Sequence, residues 1–305
     1  VKKLTLGTSD LSVSNIALGC GNIGRLSIDK AKAVIENALE LGVDFFDHAD
    51  VYAEGRSEEV FAEAIGMKPS VRDQITIQSK VGIRNGYYDF SKEHILRTVD
   101  ESLQRLKTDY LDSLLLHRPD ALVEPEEVAE AFNQLHESGK VRYFGVSNHN
   151  PMQIELLNKY VEQDFIVNQL QFGVMHTGMI DAGIQMNTRH ENGLNRDGST
   201  LDYTRLNNMT VQAWSPLRYG NFEGFFVDND EMPEINAKLQ EIADKYGVTK
   251  SALAIAWILR HPANIQAIVG TMTPERLTDI AEASDIVITR KEWYEIYRAA
   301  GNQVP

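Results

Sequence analysis

Short apolar runs alternate with longer amphipathic stretches through nearly all of the 305 residues. Brief runs bounded by turn residues read as buried strands, and recurrence at three and four positions reads as helix. Strands are predicted at Ile16–Gly19, Asp44–Asp47, Ile75–Lys80, Leu111–Leu116, Val141–Val146, Phe165–Leu170, Thr210–Trp214 and Ile265–Val269. Helical patterns follow them: Ser27–Leu41, Ser57–Ile65, Ser91–Leu106, Glu126–Ser138, Pro151–Lys159, Leu201–Leu206, Pro233–Tyr246 with Lys250–Leu259, and Pro274–Ser284 with Lys291–Ala300. Lys2–Leu6 and Leu11–Ser14 flank the turn cluster Gly7-Thr8-Ser9-Asp10 and predict a hairpin.

Regular strand–helix alternation implies a parallel sheet. Eight units in this length predict one α/β domain over residues 1–305, a (β/α)8 TIM barrel with an N-terminal β-hairpin and extra helices. Local signals agree. Gly42 and Gly139 stand just past helical runs, and Ser57 and Ser91 are expected N-caps with Glu58, Glu59 and Glu93 in the first turns. Two segments have no periodicity: an irregular one over residues 173–200 and a loop over residues 219–230. Loops of that length are commonly functional. Gly19, Gly21 and Gly24 match the spacing of a dinucleotide fingerprint. The acidic residue that should end a second strand is missing, and a glycine-rich βα loop is equally at home in a barrel.

The strand ends carry the candidate chemistry. The second strand runs into Asp47-His48-Ala49-Asp50-Val51-Tyr52, the third ends in Lys80 and the fourth in His117. The fifth ends in Ser147-Asn148, the sixth carries Gln169 and the seventh ends in Trp214. Each has an ordinary structural explanation when taken singly. In a barrel, however, these positions converge on one mouth, and four proton-handling groups after three consecutive strands form an ensemble.

Composition narrows the classes. A net charge of −14, from 44 acidic and 30 basic side chains, argues against a nucleic-acid surface. A single cysteine, Cys20, excludes an intramolecular disulfide and suits a reducing cytosol. No apolar leader or bilayer-length run is visible, so the expectation is a cytoplasmic protein that does not enter the membrane. A metal-dependent hydrolase would need more histidine ligands than His48 and His117 with Asp50 supply, so no metal is expected. A Schiff-base aldolase on Lys80 is a further alternative.

The chain resembles the aldo-keto reductases over nearly its whole length. The resemblance rests on Phe46-Asp47-His48-Ala49-Asp50-Val51-Tyr52, Ser79-Lys80, Leu116-His117-Arg118-Pro119, Gly145-Val146-Ser147-Asn148, Asn168-Gln169, Trp214-Ser215-Pro216-Leu217 and the stretch from Gly270 to Leu277. It is most similar to the bacterial reductases carrying Val-Asp-His-Ala-Asp in place of the commoner Asp-Thr-Ala. The resemblance implies a catalytic tetrad of Asp47, Tyr52, Lys80 and His117, with Tyr52 as general acid, Lys80 lowering its pKa, Asp47 holding Lys80, and His117 orienting the carbonyl. It implies that Ser147, Asn148 and Gln169 hold the carboxamide of a nicotinamide cofactor and that Trp214 stacks on its ring. Ser215, Leu217 and Arg218 would strap the pyrophosphate, and Gly270, Thr271, Thr273 and Arg276 would meet the adenosine end. Arg276 favours NADPH over NADH, because a guanidinium near a helix start suits a 2′-phosphate. The expected partner is a small-molecule carbonyl substrate, in a pocket drawing on Cys20 or its neighbours, Tyr87, Tyr88, Phe222 and residues 173–200. His48, where the family more often has Thr, is expected to make a structural hydrogen bond. The alternative is an NADPH-binding regulatory or sensor subunit with vestigial catalysis.

Overall fold

The computed structural model describes residues 1–220 and 223–304. Eight parallel strands close into a barrel: β1 (Ile16–Gly19), β2 (Phe45–Asp47), β3 (Thr76–Val81), β4 (Leu111–Leu116), β5 (Val141–Ser147), β6 (Phe165–Gln171), β7 (Thr210–Trp214) and β8 (Ile265–Val269). Around it lie α1 (Ile28–Glu40), α2 (Arg56–Ile65), α3 (Lys92–Leu106), α4 (Pro125–Glu137), α5 (Pro151–Asn158), α6 (Gly178–Ile184), α7 (Thr200–Leu206), α8 (Pro233–Tyr246), α9 (Lys250–Leu259), α10 (Pro274–Ala281) and α11 (Arg290–Ala299). The expected (β/α)8 barrel is therefore the observed one. The register sets Asp47 beside Gln78, Gln78 beside Ser113, and Gln169 beside Gln212 beside Gln266. Polar side chains from several strands thus share one level of the interior.

The two phenylalanines of β2 divide the core between them, because successive strand residues face opposite ways. Phe46 packs outward on Phe61 of α2, ring centroids 4.9 Å apart, in the layer between barrel and helices. Phe45 faces inward, in a smaller cluster with Leu115 and Val167. Truncating a buried ring such as Phe61 to Ala costs about 3–5 kcal/mol. The hairpin Lys3–Thr5 with Ser12–Ser14 adds Leu6, Leu11 and Val13 to the inner cluster. It is tied to the N-terminal ends of the strands by Gly7 N donating to Thr210 Oγ1 (2.7 Å) and Asn264 Nδ2 donating to the Thr5 carbonyl (2.7 Å). That end is plugged, and the opposite end is left for chemistry.

Several helix ends form as expected. Ser91 Oγ accepts from His94 N at the start of α3, and Gly42, just past α1, has φ +78°. Ser57 is different. It is the second residue of α2, after a Gly55 N-cap at φ +87°, and its buried hydroxyl accepts from Gly24 N (3.3 Å). The 3₁₀ turn over Cys20–Arg25 packs against this helix start and takes the hydroxyl that a free helix end would use. Residues 173–200 are also more ordered than expected. They contain α6 and a short 3₁₀ turn, and the closing residues hold them: Tyr297 donates to Asp181 (2.7 Å) and Gln185 Nε2 to the Gln303 carbonyl (2.6 Å). No helix among the described residues is long and apolar enough to cross a membrane.

Candidate active site

Past β2 the backbone keeps following β3, with His48 N donating to the Gln78 carbonyl (2.8 Å) and Asp50 N to the Lys80 carbonyl (3.2 Å). It then folds into a 3₁₀ turn, Tyr52–Gly55, before α2. Ala53 (φ +48°) and Glu54 (φ +57°) are left-handed there. Consecutive non-glycine residues in that region cost about 1 kcal/mol or more each, so the turn is held against its local preference. Gly55 completes it where a Cβ would come within 2.9 Å of Arg105.

The turn brings Tyr52 over Lys80. The Lys80 side chain is fully buried inside β3, and its ammonium donates three times: to the Asp47 carboxylate (2.8 Å), the His48 carbonyl (2.7 Å) and the Tyr52 hydroxyl (3.1 Å). An ammonium has three protons to give, and all three are spent. His117, at the end of β4, meets the Tyr52 ring edge-on with centroids 5.9 Å apart. Its buried Nδ1 has no partner among the described residues. The four expected catalytic residues thus converge.

Their electrostatics differ in one respect from the expectation. Burial opposes the Lys80 charge, but Asp47 and Tyr52 outweigh it and the pKa lies above the usual lysine range. Burial and the neighbouring charges of Lys80 and Arg118 hold His117 well below its ordinary value, so its imidazole is neutral. Tyr52 was expected to have a lowered pKa. Instead burial raises it further than Lys80 lowers it, and Asp47 adds to the rise. The Lys80 ammonium pulls the value down, but burial of the phenol outweighs that pull and the Asp47 carboxylate offsets part of it.

Beneath the ion pair lies an amide network that strand periodicity alone did not flag. Asp47 Oδ1 accepts from Gln78 Nε2 (2.7 Å) and Gln169 Nε2 (3.0 Å). Both amides also donate to Gln212 Oε1 (2.8 and 3.0 Å), whose own amide donates to Gln266 Oε1 (2.9 Å). Part of the signal was available: Gln212 and Gln266 each stand between apolar neighbours, whereas Gln78 and Gln169 adjoin other polar residues. Gln169, expected only as a cofactor contact, therefore also holds Asp47.

A second cluster begins at Asp50. One of its carboxylate oxygens is buried with no partner among the described residues. Burial and nearby Glu58 raise its pKa to about 7. Glu58 is itself fully buried, accepting from Ser79 Oγ (2.7 Å) and Arg105 Nε (2.7 Å).

The mouth beside His117 is hydrogen-bonded across strands. Ser147 Oγ donates to the Gln169 carbonyl (2.9 Å). Asn148, at φ +61°, donates to Ser147 Oγ (2.8 Å) and the His117 carbonyl (3.4 Å), and accepts from Trp214 Nε1 (3.2 Å). Trp214 is half-buried, with the Arg118 guanidinium 5.8 Å from its ring centroid. Ser215 (φ +48°), Leu217 and Arg218 follow β7, and Arg218 lies 4.6 Å from the Phe225 ring. Gly270, Thr271 and Thr273 follow the adjacent β8, with open space at Gly270 where a Cβ would point. Thr273 is the N-cap of α10 and Arg276 its third residue, exposed and without an ion pair among the described residues. These last seven residues follow two adjacent strands, β7 and β8, and make no hydrogen bond to the tetrad among the described residues.

A further expectation is revised. The His48 side chain makes no hydrogen bond among the described residues. Both ring nitrogens lack partners among the described residues, the ring packs edge-on to Phe61 (4.6 Å), and burial with Lys80 lowers its pKa to about 3. It serves as a neutral filler in an apolar site. Of the expected pocket residues, Cys20 is fully buried, its Sγ 3.6 Å from the Leu18 carbonyl, and its neighbour Gly21 lies against the Tyr52 ring. Tyr87 and Tyr88 form an exposed two-stranded ribbon with Ile83–Arg84, and Phe222 lies outside the described residues.

The sequence model of the Aldo/keto reductase family matches residues 3–300. The chain is 33% identical to the uncharacterized oxidoreductase YcsN of Bacillus subtilis, covering 97% of each chain. It is 33% identical to the 6-dehydroglucose reductase of Agrobacterium fabrum, covering 95% of each. The crystal structure of a Klebsiella pneumoniae aldo-keto reductase in complex with NADPH superposes with a TM-score of 0.78 at 26% identity, covering 100% of this chain and 97% of that one. With a closed parallel barrel and a strand-end constellation of this kind, the chain belongs to the aldo/keto reductase family, oxidoreductases that interconvert carbonyl and alcohol groups with a nicotinamide cofactor.

Proposed function

We propose that this chain reduces an aldehyde or ketone to an alcohol with NADPH, Tyr52 acting as general acid. The observation that carries the reading is the buried Lys80 ammonium, divided between the Asp47 carboxylate and the Tyr52 hydroxyl with His117 alongside. When bound, the cofactor supplies the hydride. The remaining work belongs to the chain. Tyr52 receives a hydrogen bond from Lys80, which leaves its own proton free for a carbonyl oxygen. Its raised pKa keeps that proton present at neutral pH. As the proton leaves, Lys80 stabilises the phenolate and Asp47 keeps Lys80 charged and in place. The neutral His117 imidazole donates to the same oxygen and orients it. Solvent then reprotonates Tyr52.

The mouth fits a nicotinamide cofactor. Asn148 and Ser147 present paired polar groups beside the half-buried face of Trp214, and Gln169, its amide nitrogen spent on Asp47 and Gln212, keeps an acceptor oxygen for a carboxamide. Ser215, Leu217 and Arg218 line the way to Gly270, Thr271 and Thr273. The exposed guanidinium of Arg276, in the first turn of α10, suits a 2′-phosphate. The relative named 6-dehydroglucose reductase supports a polar, hydroxylated aldehyde as substrate.

The test is NADPH consumption, followed by absorbance, with 6-dehydroglucose, simple aldehydes, ketones and diketones, repeated with NADH. Turnover that prefers NADPH is expected. NADPH binding without turnover of any carbonyl would favour a regulatory subunit instead.

A further inference from the structure

Outside the barrel wall, between α6, α7, the end of α9 and the start of α11, lies a cavity of about 350 Å³. None of the tetrad or the expected cofactor-binding residues lines it, although Ile180 and Ile184 belong to the 173–200 segment expected to contribute to the substrate pocket. Its volume falls in the range of small-molecule sites. Its lining is of two kinds. Ile180, Ile184, Leu201 and Trp293 form an apolar floor, with Trp293 fixed by stacking on Trp257 at 4.6 Å.

Three arginines border that floor: Arg205 of α7 and Arg290 of α11, both exposed, and the partly buried Arg260 just past α9. None has a carboxylate within ion-pair distance among the described residues, although the chain carries 44 acidic side chains. Asp202 also lines the cavity, yet it does not pair with Arg205. Arg260 is held in place by its Nε donating to the Ile288 carbonyl (2.8 Å), which leaves its terminal nitrogens free. His261 is a further donor. Its Nδ1 accepts from Ala263 N (3.1 Å), so the ring proton sits on Nε2. Burial, together with Arg205, holds the ring neutral.

We propose that this cavity is a second binding site, for an amphipathic organic anion with a carboxylate or phosphate-monoester head on an apolar body. Guanidiniums without protein partners in an acidic chain are matched to an anionic head. A fixed aliphatic and aromatic floor beside them is matched to an apolar tail. The site is independent of the carbonyl chemistry at the barrel mouth.

Isothermal titration calorimetry of the full chain with decanoate and decyl phosphate tests this, with decanol and inorganic phosphate as controls. Saturable binding of at least one of the two amphiphiles is expected, at least tenfold tighter than either control, and the tighter head identifies the source. The Arg205→Ala/Arg290→Ala double variant should weaken it at least tenfold, Arg205→Lys/Arg290→Lys should retain most of it, and Ile184→Trp should block it by filling the floor. Tyr52→Phe should leave it unchanged. Absence of saturable binding, equal binding of decanol, or insensitivity to both the arginine and the Ile184 changes would overturn the assignment.

Discussion

The ammonium of Lys80 donates to the hydroxyl of Tyr52 across 3.1 Å while lying 4.9 Å from the centroid of the same ring. The phenol is therefore an acceptor toward the protein and a donor toward the mouth. Burial nonetheless keeps its pKa above the ordinary tyrosine value. The sign follows directly. The protonated, active form for reduction persists through neutral pH and is lost only as pH rises through that raised value. The expected kcat/KM for reduction is flat from about pH 6 to 9 and falls above about pH 10, since this ratio reports free-enzyme groups. A falling limb centred near pH 8 would mean that Lys80 dominates the phenol after all.

Removing one partner of a buried ion pair leaves the other charge without compensation. Lys80→Met strands Asp47, which then has only the amides of Gln78 and Gln169. A loss of about 3–5 kcal/mol in unfolding free energy is expected, read by urea denaturation. Reduction should fall by at least about 100-fold as well. Unchanged stability would show that the pair is not buried as described.

Asp50 gives a stability signature in pH. Its folded pKa, about 7, lies above that of an unfolded carboxylate, so the folded state binds more protons between about pH 4 and 7. Stability from this group is complete below the lower value and lost as pH rises to the upper one. The full difference corresponds to about 4 kcal/mol, an upper bound. Asp50→Asn should flatten the slope of unfolding free energy over that window and stabilise the protein at pH 8. An identical slope in the variant would dismiss Asp50 as the source.

Arg276 sets the cofactor preference in this account. Arg276→Ala should weaken NADPH binding about tenfold or more, the value of a charge-assisted contact, with NADH binding nearly unchanged. Fluorescence titration reads both affinities. A parallel loss for both cofactors would assign Arg276 a structural role.

The barrel was legible because its signals are local: short apolar runs, glycine stops and serine caps repeat along the chain. The four candidate residues were legible because Asp47, Lys80 and His117 stand at strand ends, where topology does the gathering, and Tyr52 follows in the turn just past Asp47. What escaped depends on packing between distant segments. Ser57 looks like a helix cap, yet its hydroxyl is claimed by the turn at Gly24, 33 residues earlier. His48 looks like a hydrogen-bonder, yet its site is lined by Phe61. The direction of the Tyr52 pKa is a balance between burial and a shared charge, and no linear pattern encodes that balance. The role of Gln78 and Gln212 beneath Asp47 depends on barrel register in the same way.

The most direct measurement compares wild type with Tyr52→Phe in NADPH-dependent reduction of an aldehyde, alongside NADPH affinity for both. The variant keeps the ring over Lys80 and removes only the hydroxyl. Turnover should drop by roughly 10²–10⁴-fold with cofactor affinity essentially intact. Near-native turnover by the phenylalanine variant would contradict the central claim that this phenol delivers the proton.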